Sequence, residues 1–197
     1  MSTFRLQLPT DPRWVNIVES DLAEILSDHV WCEQKAAANA LTIITLNPDH
    51  PDLIADMLEL AKEEIDHFRR VHELLIARGY TLSREPKDNY VGELARYMKR
   101  SSTGSRQSGL VERLLFSAMI EARSCERFKV LSENISDPEL AAFYRELMES
   151  EAGHYTLFIG YARQYGQGID VEKRWREWLD FEASVIARYG KRQTVHG

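Results

Sequence analysis

The sequence predicts an all-α protein, a four-helix bundle of two antiparallel helix hairpins joined by a long crossover, with an additional C-terminal helix. Three observations lead to this fold class. Apolar residues recur with the 3.6-residue period of an amphipathic helix in four long segments. A few residues separate the segments within each pair, whereas about 30 separate the pairs, a pattern typical of hairpins joined by a crossover. The second half of the chain also repeats the glutamate and histidine pattern of the first.

The first hairpin follows a polar arm at residues 1–13, which contains two prolines. Helical periodicity then runs from about Trp14 to Leu46. The segment Asn47–Pro51 breaks the pattern, and a second helix is predicted to continue to about Arg78, where Gly79 is a natural stop. A connection this short predicts that the two helices are antiparallel.

The crossover is predicted at residues 80–109, with a short helix near Asn89 to Arg100. The second hairpin is expected to have one helix from about Leu110 to Glu133 and another from Pro138 to about Tyr165, since Ser136-Asp137-Pro138 is a cap-and-start signal. An additional helix is expected at Val171–Tyr189. The tail at residues 191–197 is expected to be frayed, and residues 1–197 to form a single domain.

Two copies of Glu-x-x-His suggest a metal site. In each copy the glutamate and histidine share one face of a helix. A lone glutamate lies on the apolar stripe of the preceding helix in both hairpins, and a buried carboxylate is costly unless it is paired or coordinated. This donor set is that of the ferritin-like dinuclear carboxylate proteins. The six candidate ligands are Glu33, Glu64, His67, Glu121, Glu151 and His154.

The chemistry of these donors favours iron, with manganese as the alternative. Four carboxylates and two imidazoles suit such metals, whereas a structural zinc site usually contains cysteine. One Glu-x-x-His alone would more often be a surface pair, so the prediction depends on the complete and repeated set.

Four neighbouring residues are candidates to support the ligands. His29 lies one turn before Glu33, and Cys125 one turn after Glu121; a satisfied polar residue and a small core thiol are the alternative interpretations. Glu63 and Ser150 directly precede two ligand glutamates and could hydrogen-bond a ligand histidine of a neighbouring helix. A solvated position is the alternative for Glu63.

Composition limits the classes of function. A chain of 197 residues, 44% hydrophobic and 28% charged, is typical of one globular domain. No apolar run is long enough to span a bilayer, and the N-terminus resembles no secretory signal. Two cysteines are too few for a disulfide framework, so we expect a cytoplasmic protein with reduced thiols. A net charge of −6 argues against general nucleic-acid binding but permits a local basic patch.

Four segments around the candidate ligands resemble the bacterial tRNA-(2-methylthio-isopentenyladenosine) hydroxylase family. The most distinctive is Glu121-Ala122-Arg123-Ser124-Cys125-Glu126-Arg127-Phe128, and the resemblance covers nearly the whole chain, including Glu177-Trp178-Leu179. The other segments are Cys32-Glu33-Gln34-Lys35-Ala36-Ala37, Glu63-Glu64-Ile65-Asp66-His67-Phe68 and Ser150-Glu151-Ala152-Gly153-His154. Gly153 departs from the family pattern, in which a larger residue, often arginine, is expected.

The resemblance implies an oxygen-dependent, non-haem di-iron monooxygenase. It would hydroxylate the isopentenyl side chain of 2-methylthio-isopentenyladenosine beside the tRNA anticodon, with the six candidate ligands holding two iron ions. A reductase or ferredoxin would donate electrons, and tRNA would be the substrate. Contacts with tRNA phosphates need only local positive charge. The first candidates for such contacts are Arg96, Lys99, Arg100 and Arg106, in a stretch without acidic residues.

Two other classes of function stay open at this point. One is a ferritin- or rubrerythrin-like iron oxidase or peroxidase with no nucleic-acid substrate, although two scattered cysteines cannot form the cysteine-rich iron domain usual in rubrerythrins. The other is a metal-free helical interaction module, which four buried carboxylates argue against.

Overall fold

A computed structural model describes residues 3–102, 104–189 and 195 of the chain. That part of the chain contains seven α-helices, one short 3-10 turn at Thr3–Arg5 and no β-strand, which confirms the predicted all-α class. The helices are α1 (Trp14–Ser20), α2 (Leu22–Leu46), α3 (Pro51–Ala77), α4 (Asn89–Ser101), α5 (Arg106–Asn134), α6 (Pro138–Tyr165) and α7 (Val171–Tyr189).

The described residues pack as two compact units. One consists of residues 18–87 with Val195, and the other of the described residues within 3–17 and 88–189. Each unit contains one long helix hairpin, α2–α3 in the first and α5–α6 in the second. The single-domain interpretation stays a prediction.

The α2–α3 hairpin buries an aliphatic seam that includes Ile25, Leu53 and Leu75. Its first helix differs from the prediction of one continuous helix from Trp14 to Leu46. The helix is interrupted at Asp21, whose carboxylate accepts a hydrogen bond from the Glu24 backbone N–H at 3.0 Å and so caps α2. At the other end of the hairpin, Gly79 adopts a φ of 78°, which a residue with a side chain rarely does.

The α5–α6 hairpin is joined by only three residues, and Asp137 caps α6 by accepting from the N–H groups of Glu139 and Leu140. Helix α5 begins at Arg106 rather than near Leu110. Its start is set by the Ser105 hydroxyl, which accepts from the Ser108 N–H at 3.0 Å. The predicted crossover is therefore shorter than residues 80–109.

Helices α4 and α7 pack against α5 in the same unit. Arg174 on α7 joins the three helices. Its guanidinium donates to both carboxylate oxygens of Glu112 on α5, at 2.5 and 3.1 Å, and to the hydroxyl of Tyr97 on α4, at 2.8 Å. The indole N–H of the fully buried Trp178 also donates to Glu112, at 3.2 Å. These contacts fix the orientation of α4 on α5.

Most of the tail predicted to be frayed, residues 191–197, lies outside the described residues. Val195 is described: its side chain is buried, and its backbone N–H donates to the Asp28 carboxylate at 2.7 Å. Among the helices of the described chain, none combines the length and the apolar character that a membrane span requires.

Candidate metal centre

The first hairpin contains a buried cluster of three of the predicted ligands, Glu33 on α2 and Glu64 and His67 on α3. One ligand atom from each lies within 4.8 Å of the other two. His67 Nδ1 is 3.4 Å from a Glu64 oxygen and 3.9 Å from a Glu33 oxygen. Because two carboxylates and one imidazole converge here with little exposure to water, the cluster suits a bound cation.

His29 extends this cluster along α2. The side chain is completely buried, and its Nε2 lies 2.5 Å from a Glu33 carboxylate oxygen, one helical turn away. A histidine in this position holds the carboxylate in one orientation, which is how supporting residues commonly act on metal ligands. The structure thus brings this candidate into contact with a predicted ligand.

The second hairpin contains an equivalent cluster, formed by Glu121 on α5 and by Glu151 and His154 on α6. One ligand atom from each of these residues lies within 4.8 Å of the others, and all three residues are buried. His154 Nδ1 is 3.8 Å from a Glu151 oxygen. Each hairpin therefore presents the same three donors, a glutamate from its first helix and Glu-x-x-His from its second.

Three other candidates have different surroundings. The Cys125 thiol is buried and donates to the Met148 carbonyl oxygen at 3.2 Å. Burial, together with the nearby charges of Glu151 and Glu121, raises the pKa of this thiol to about 12. Glu63 is exposed and Ser150 is partly exposed.

The candidate RNA contacts all lie on the surface of the second unit. Arg96, Lys99 and Arg100 are exposed on α4, and Arg106 is exposed at the first position of α5. Arg96 pairs with Glu93 at 2.9 Å. The four cations belong to consecutive helices separated by residues 102–105.

Sequence reasoning did not identify a buried ionic network centred on Arg123. This guanidinium, wholly inaccessible to water, donates to Glu182 on α7 at 2.6 Å and to Glu126 at 2.9 Å. Tyr90 on α4 donates to the same Glu182 oxygen at 3.1 Å. Burial has the largest single effect and would lower the pKa of Arg123, but the charges of Glu182, Tyr90 and Glu126 and the hydrogen bond to Glu182 together outweigh burial and raise the pKa.

The same network attaches the N-terminal arm. The Thr10 backbone N–H and hydroxyl both donate to the Glu126 carboxylate at 2.7 Å, and Arg123 donates to the Leu8 carbonyl oxygen at 3.1 Å. The Arg127 guanidinium lies 4.1 Å above the Trp14 ring. Burial lowers the pKa of Arg127 to about 10. The Glu121–Phe128 string therefore combines one candidate metal ligand with the charged residues that anchor the arm, α4 and α7 to α5.

The fold class is established by a solved structure that is similar to the whole chain. It is a protein from Synechococcus described as protein 43 with aldehyde deformylating oxygenase activity, with a TM-score of 0.87 and 30% sequence identity, covering 98% of this chain and 95% of that one. The likeness confirms the predicted ferritin-like fold. The chain is a ferritin-like helical protein with buried clusters of glutamate and histidine that are able to bind metal.

Its family follows from sequence comparisons. The family model of the tRNA-(MS[2]IO[6]A)-hydroxylase (MiaE) matches residues 2–197. A relative from Pseudomonas putida, named tRNA 2-(methylsulfanyl)-N(6)-isopentenyladenosine(37) hydroxylase, is 38% identical over 85% of this chain and 80% of its own length. A relative of the same name from Salmonella typhimurium is 28% identical over 92% of this chain and 83% of its own length. The chain belongs to this family of tRNA hydroxylases, as the resemblance in its sequence predicted.

Proposed function

We propose that this protein is an O₂-dependent di-iron monooxygenase that hydroxylates the isopentenyl side chain of 2-methylthio-isopentenyladenosine beside the tRNA anticodon. The observation that carries the proposal is the matched pair of buried Glu, Glu and His clusters in a chain of the tRNA hydroxylase family. The names of both relatives contain this substrate and this reaction.

The two clusters together would supply the ligand set of one dinuclear iron centre. Each cluster carries two carboxylates and one imidazole, a donor set that fits a hard or borderline divalent metal, with manganese as the alternative to iron. Bound iron would supply the reduction of O₂, the step that side chains alone cannot perform. The proposed ligands are Glu33, Glu64, His67, Glu121, Glu151 and His154.

The protein's own residues would have two tasks in this reaction. The four carboxylates would neutralise the charge of the metal ions in a site of low exposure, and His29 would hold Glu33 in its binding orientation. Hydroxylation places one oxygen atom of O₂ in a C–H bond and releases the other as water. Two electrons and two protons must therefore come from a donor, for which a reductase or ferredoxin is the proposed partner.

The proposal is tested by mass spectrometry of tRNA nucleosides from cells that lack this protein and are complemented with single variants. The wild type should restore the hydroxylated nucleoside, whereas Glu121→Ala should leave the unhydroxylated precursor. Glu63→Ala is the matched control, because Glu63 adjoins a proposed ligand but is exposed. Failure of the wild type to restore hydroxylation would overturn the proposed substrate.

Metal content gives a separate test of the ligand set. Purified wild-type protein from iron-supplemented cells should contain about two iron ions per chain, since six such ligands form two adjacent sites. Glu121→Ala should bind less iron, and Glu63→Ala should bind as much as the wild type. Iron-loaded protein that consumes hydrogen peroxide but never alters tRNA would favour the oxidase or peroxidase alternative.

A further inference from the structure

Large apolar side chains are exposed along one face of α3. Leu58, Ile65 and Ile76 are 45%, 59% and 50% exposed, and they are three of the six large exposed hydrophobic residues in the described part of the chain. Positions 7 and 11 residues apart share a helix face, and Ile54 and His72, both partly exposed, continue this one. We define the α3 stripe as these five residues. A single exposed apolar residue is ordinary, whereas a continuous row of them indicates an interaction site.

The α3 stripe is separate from the face by which α3 packs into its hairpin. Leu60, His67 and Val71 lie on that other face and are buried. Helix α3 therefore contributes fully to the core and still presents a second apolar face, which extends about 33 Å from Ile54 to Ile76. No burial within the described chain accounts for this second face.

The spacing of the α3 stripe is symmetric about Ile65. Leu58 and His72 lie seven residues before and after it, and Ile54 and Ile76 lie eleven residues before and after it. In a twofold dimer the same patch of both copies meets, so that residue i contacts residue j and j contacts i. Two antiparallel copies of α3 that cross at Ile65 would therefore bring every position of the stripe opposite another: Ile65 opposite Ile65, Leu58 opposite His72, and Ile54 opposite Ile76.

The charges beside the α3 stripe favour a second copy over a strongly charged partner. The adjacent row contains both signs, in the order Glu59, Lys62, Asp66, Arg69 and Glu73. Its cations are paired along the helix: Lys62 with Glu59 at 2.7 Å, and Arg69 with Asp66 and Glu73 at 2.6 and 2.9 Å. Because the row is nearly neutral in a chain whose net charge is −6, two copies can approach here without strong repulsion.

We propose that this protein forms a dimer in which the α3 stripes of two copies pack antiparallel around a twofold axis at Ile65. Apolar contacts form the centre of this interface, and the paired charges form its rim. An interface built on one helix pair is at the small end of stable interfaces, so we expect a dissociation constant on the order of 10 µM. The second copy packs behind the turn of α3 whose buried side carries Glu64 and His67.

Sedimentation equilibrium of the full chain tests the dimer. At about 100 µM, ten times the expected dissociation constant, most of the wild type should have twice the 22.8 kDa mass of one chain. Ile65→Lys should weaken dimerisation at least about a hundredfold, because it removes two apolar contacts per dimer and places two like charges on the axis. Leu8→Lys is the matched control, since it makes the same change at a residue of the N-terminal arm that is 43% exposed. A wild type with the mass of one chain, or an Ile65→Lys variant that dimerises as tightly as the control, would overturn the proposal.

Disulfide formation tests the register independently, in a Cys32→Ser background whose remaining native thiol, Cys125, is buried. Ile65→Cys should form a disulfide-linked dimer under mild oxidation, because position 65 faces itself across the axis. Leu58→Cys is the matched control: its two copies would lie about 21 Å apart along the helices, too far for a disulfide. Equal cross-linking of the two variants would overturn the position of the axis, and no cross-linking of Ile65→Cys would overturn the antiparallel contact.

Discussion

The two cysteines of this chain lie close in sequence to candidate metal ligands, but their environments differ. Cys125 follows Glu121 by one turn of α5, is buried, and donates to a backbone carbonyl. Its pKa of about 12 keeps it as a neutral thiol at physiological pH. Cys32 directly precedes Glu33 and is partly exposed, with its Sγ 3.9 Å from an Asp28 carboxylate oxygen. Thiol chemistry at this protein is therefore expected at Cys32.

We expect iodoacetamide at about pH 8 to alkylate Cys32 well before Cys125 in the folded protein, because only the thiolate reacts and burial suppresses it. Peptide mass spectrometry over a time course would measure the two rates. In Cys32→Ser, the remaining thiol should react only after denaturant is added. Equal rates for the two cysteines in native protein would contradict the buried position of Cys125.

At the scale of single elements, α5 contributes residues both to a candidate metal cluster and to a buried ionic network. Glu121 belongs to a candidate metal cluster, and Arg123, Glu126 and Arg127 belong to buried ionic contacts with the arm, α1 and α7. Burial raises the pKa of Glu182, which shows that its charged form is held at a desolvation cost that Arg123 offsets in part. The network therefore determines which elements pack on α5. Removing one of its charges would leave the partner charge buried without compensation.

Glu182→Gln should destabilise the protein by about 3–5 kcal/mol, because Arg123 would keep its buried charge and lose one of its two carboxylate partners. Chemical denaturation monitored by circular dichroism would measure the change. Arg69→Ala is the control, since it removes an ion-pair network of exposed residues on α3 and should cost less than about 1 kcal/mol. A loss for Glu182→Gln as small as for Arg69→Ala would mean that water reaches this network.

Helix α6 contains glycine between two candidate ligands. Gly153 lies between Glu151 and His154, is exposed, and has no atom within 4 Å of the position that a Cβ would occupy. The structure therefore has room for a side chain at position 153, where the family pattern predicts a larger residue. Glycine at this position weakens the helix without a compensating close contact in the described structure.

Gly153→Ala should stabilise the protein by about 0.5–1 kcal/mol. Alanine restricts the backbone of the unfolded chain, so the chain loses less conformational entropy when it folds. Thermal unfolding would measure the difference. Gly79→Ala provides the contrasting control: its Cβ would also meet no atom, but its φ of 78° strains any residue with a side chain, so this variant should be destabilised. Destabilisation by Gly153→Ala would indicate that α6 needs flexibility beside its ligands.

At the scale of the whole molecule, sequence periodicity was sufficient to predict the long helices and the burial of the six candidate ligands. Their role as metal ligands stays a prediction. The apolar period continues through Asp21, so the break between α1 and α2 depends on a capping contact that periodicity does not reveal. The Arg123 network is not detectable from the sequence for a different reason. Charged residues are ordinarily exposed, so nothing in the sequence indicates that Arg123 is buried. Its partner Glu182 also lies 59 positions away, so no local spacing links the two residues. The repeated Glu-x-x-His was detectable because both of its members lie within one helical turn.

Whether the two clusters act as one centre can be tested with His67→Ala, His154→Ala and the double variant. A bound metal stabilises the native state by about 2.7 kcal/mol when its concentration is 100 times its dissociation constant. Loss of that stabilisation would lower the melting temperature by roughly 5–10 °C for a chain of this size.

Each single variant should lose a similar share of iron and thermal stability, because the two histidines occupy equivalent positions in matched clusters. If the six ligands form one dinuclear centre, the double variant should lose little more than either single variant, since effects within one coupled network do not add. His72→Ala, which changes a partly exposed histidine on the same helix as His67, should retain both iron and stability. Additive losses of one iron ion per histidine would instead describe two independent mononuclear sites, and the proposed dinuclear chemistry would then have to be abandoned.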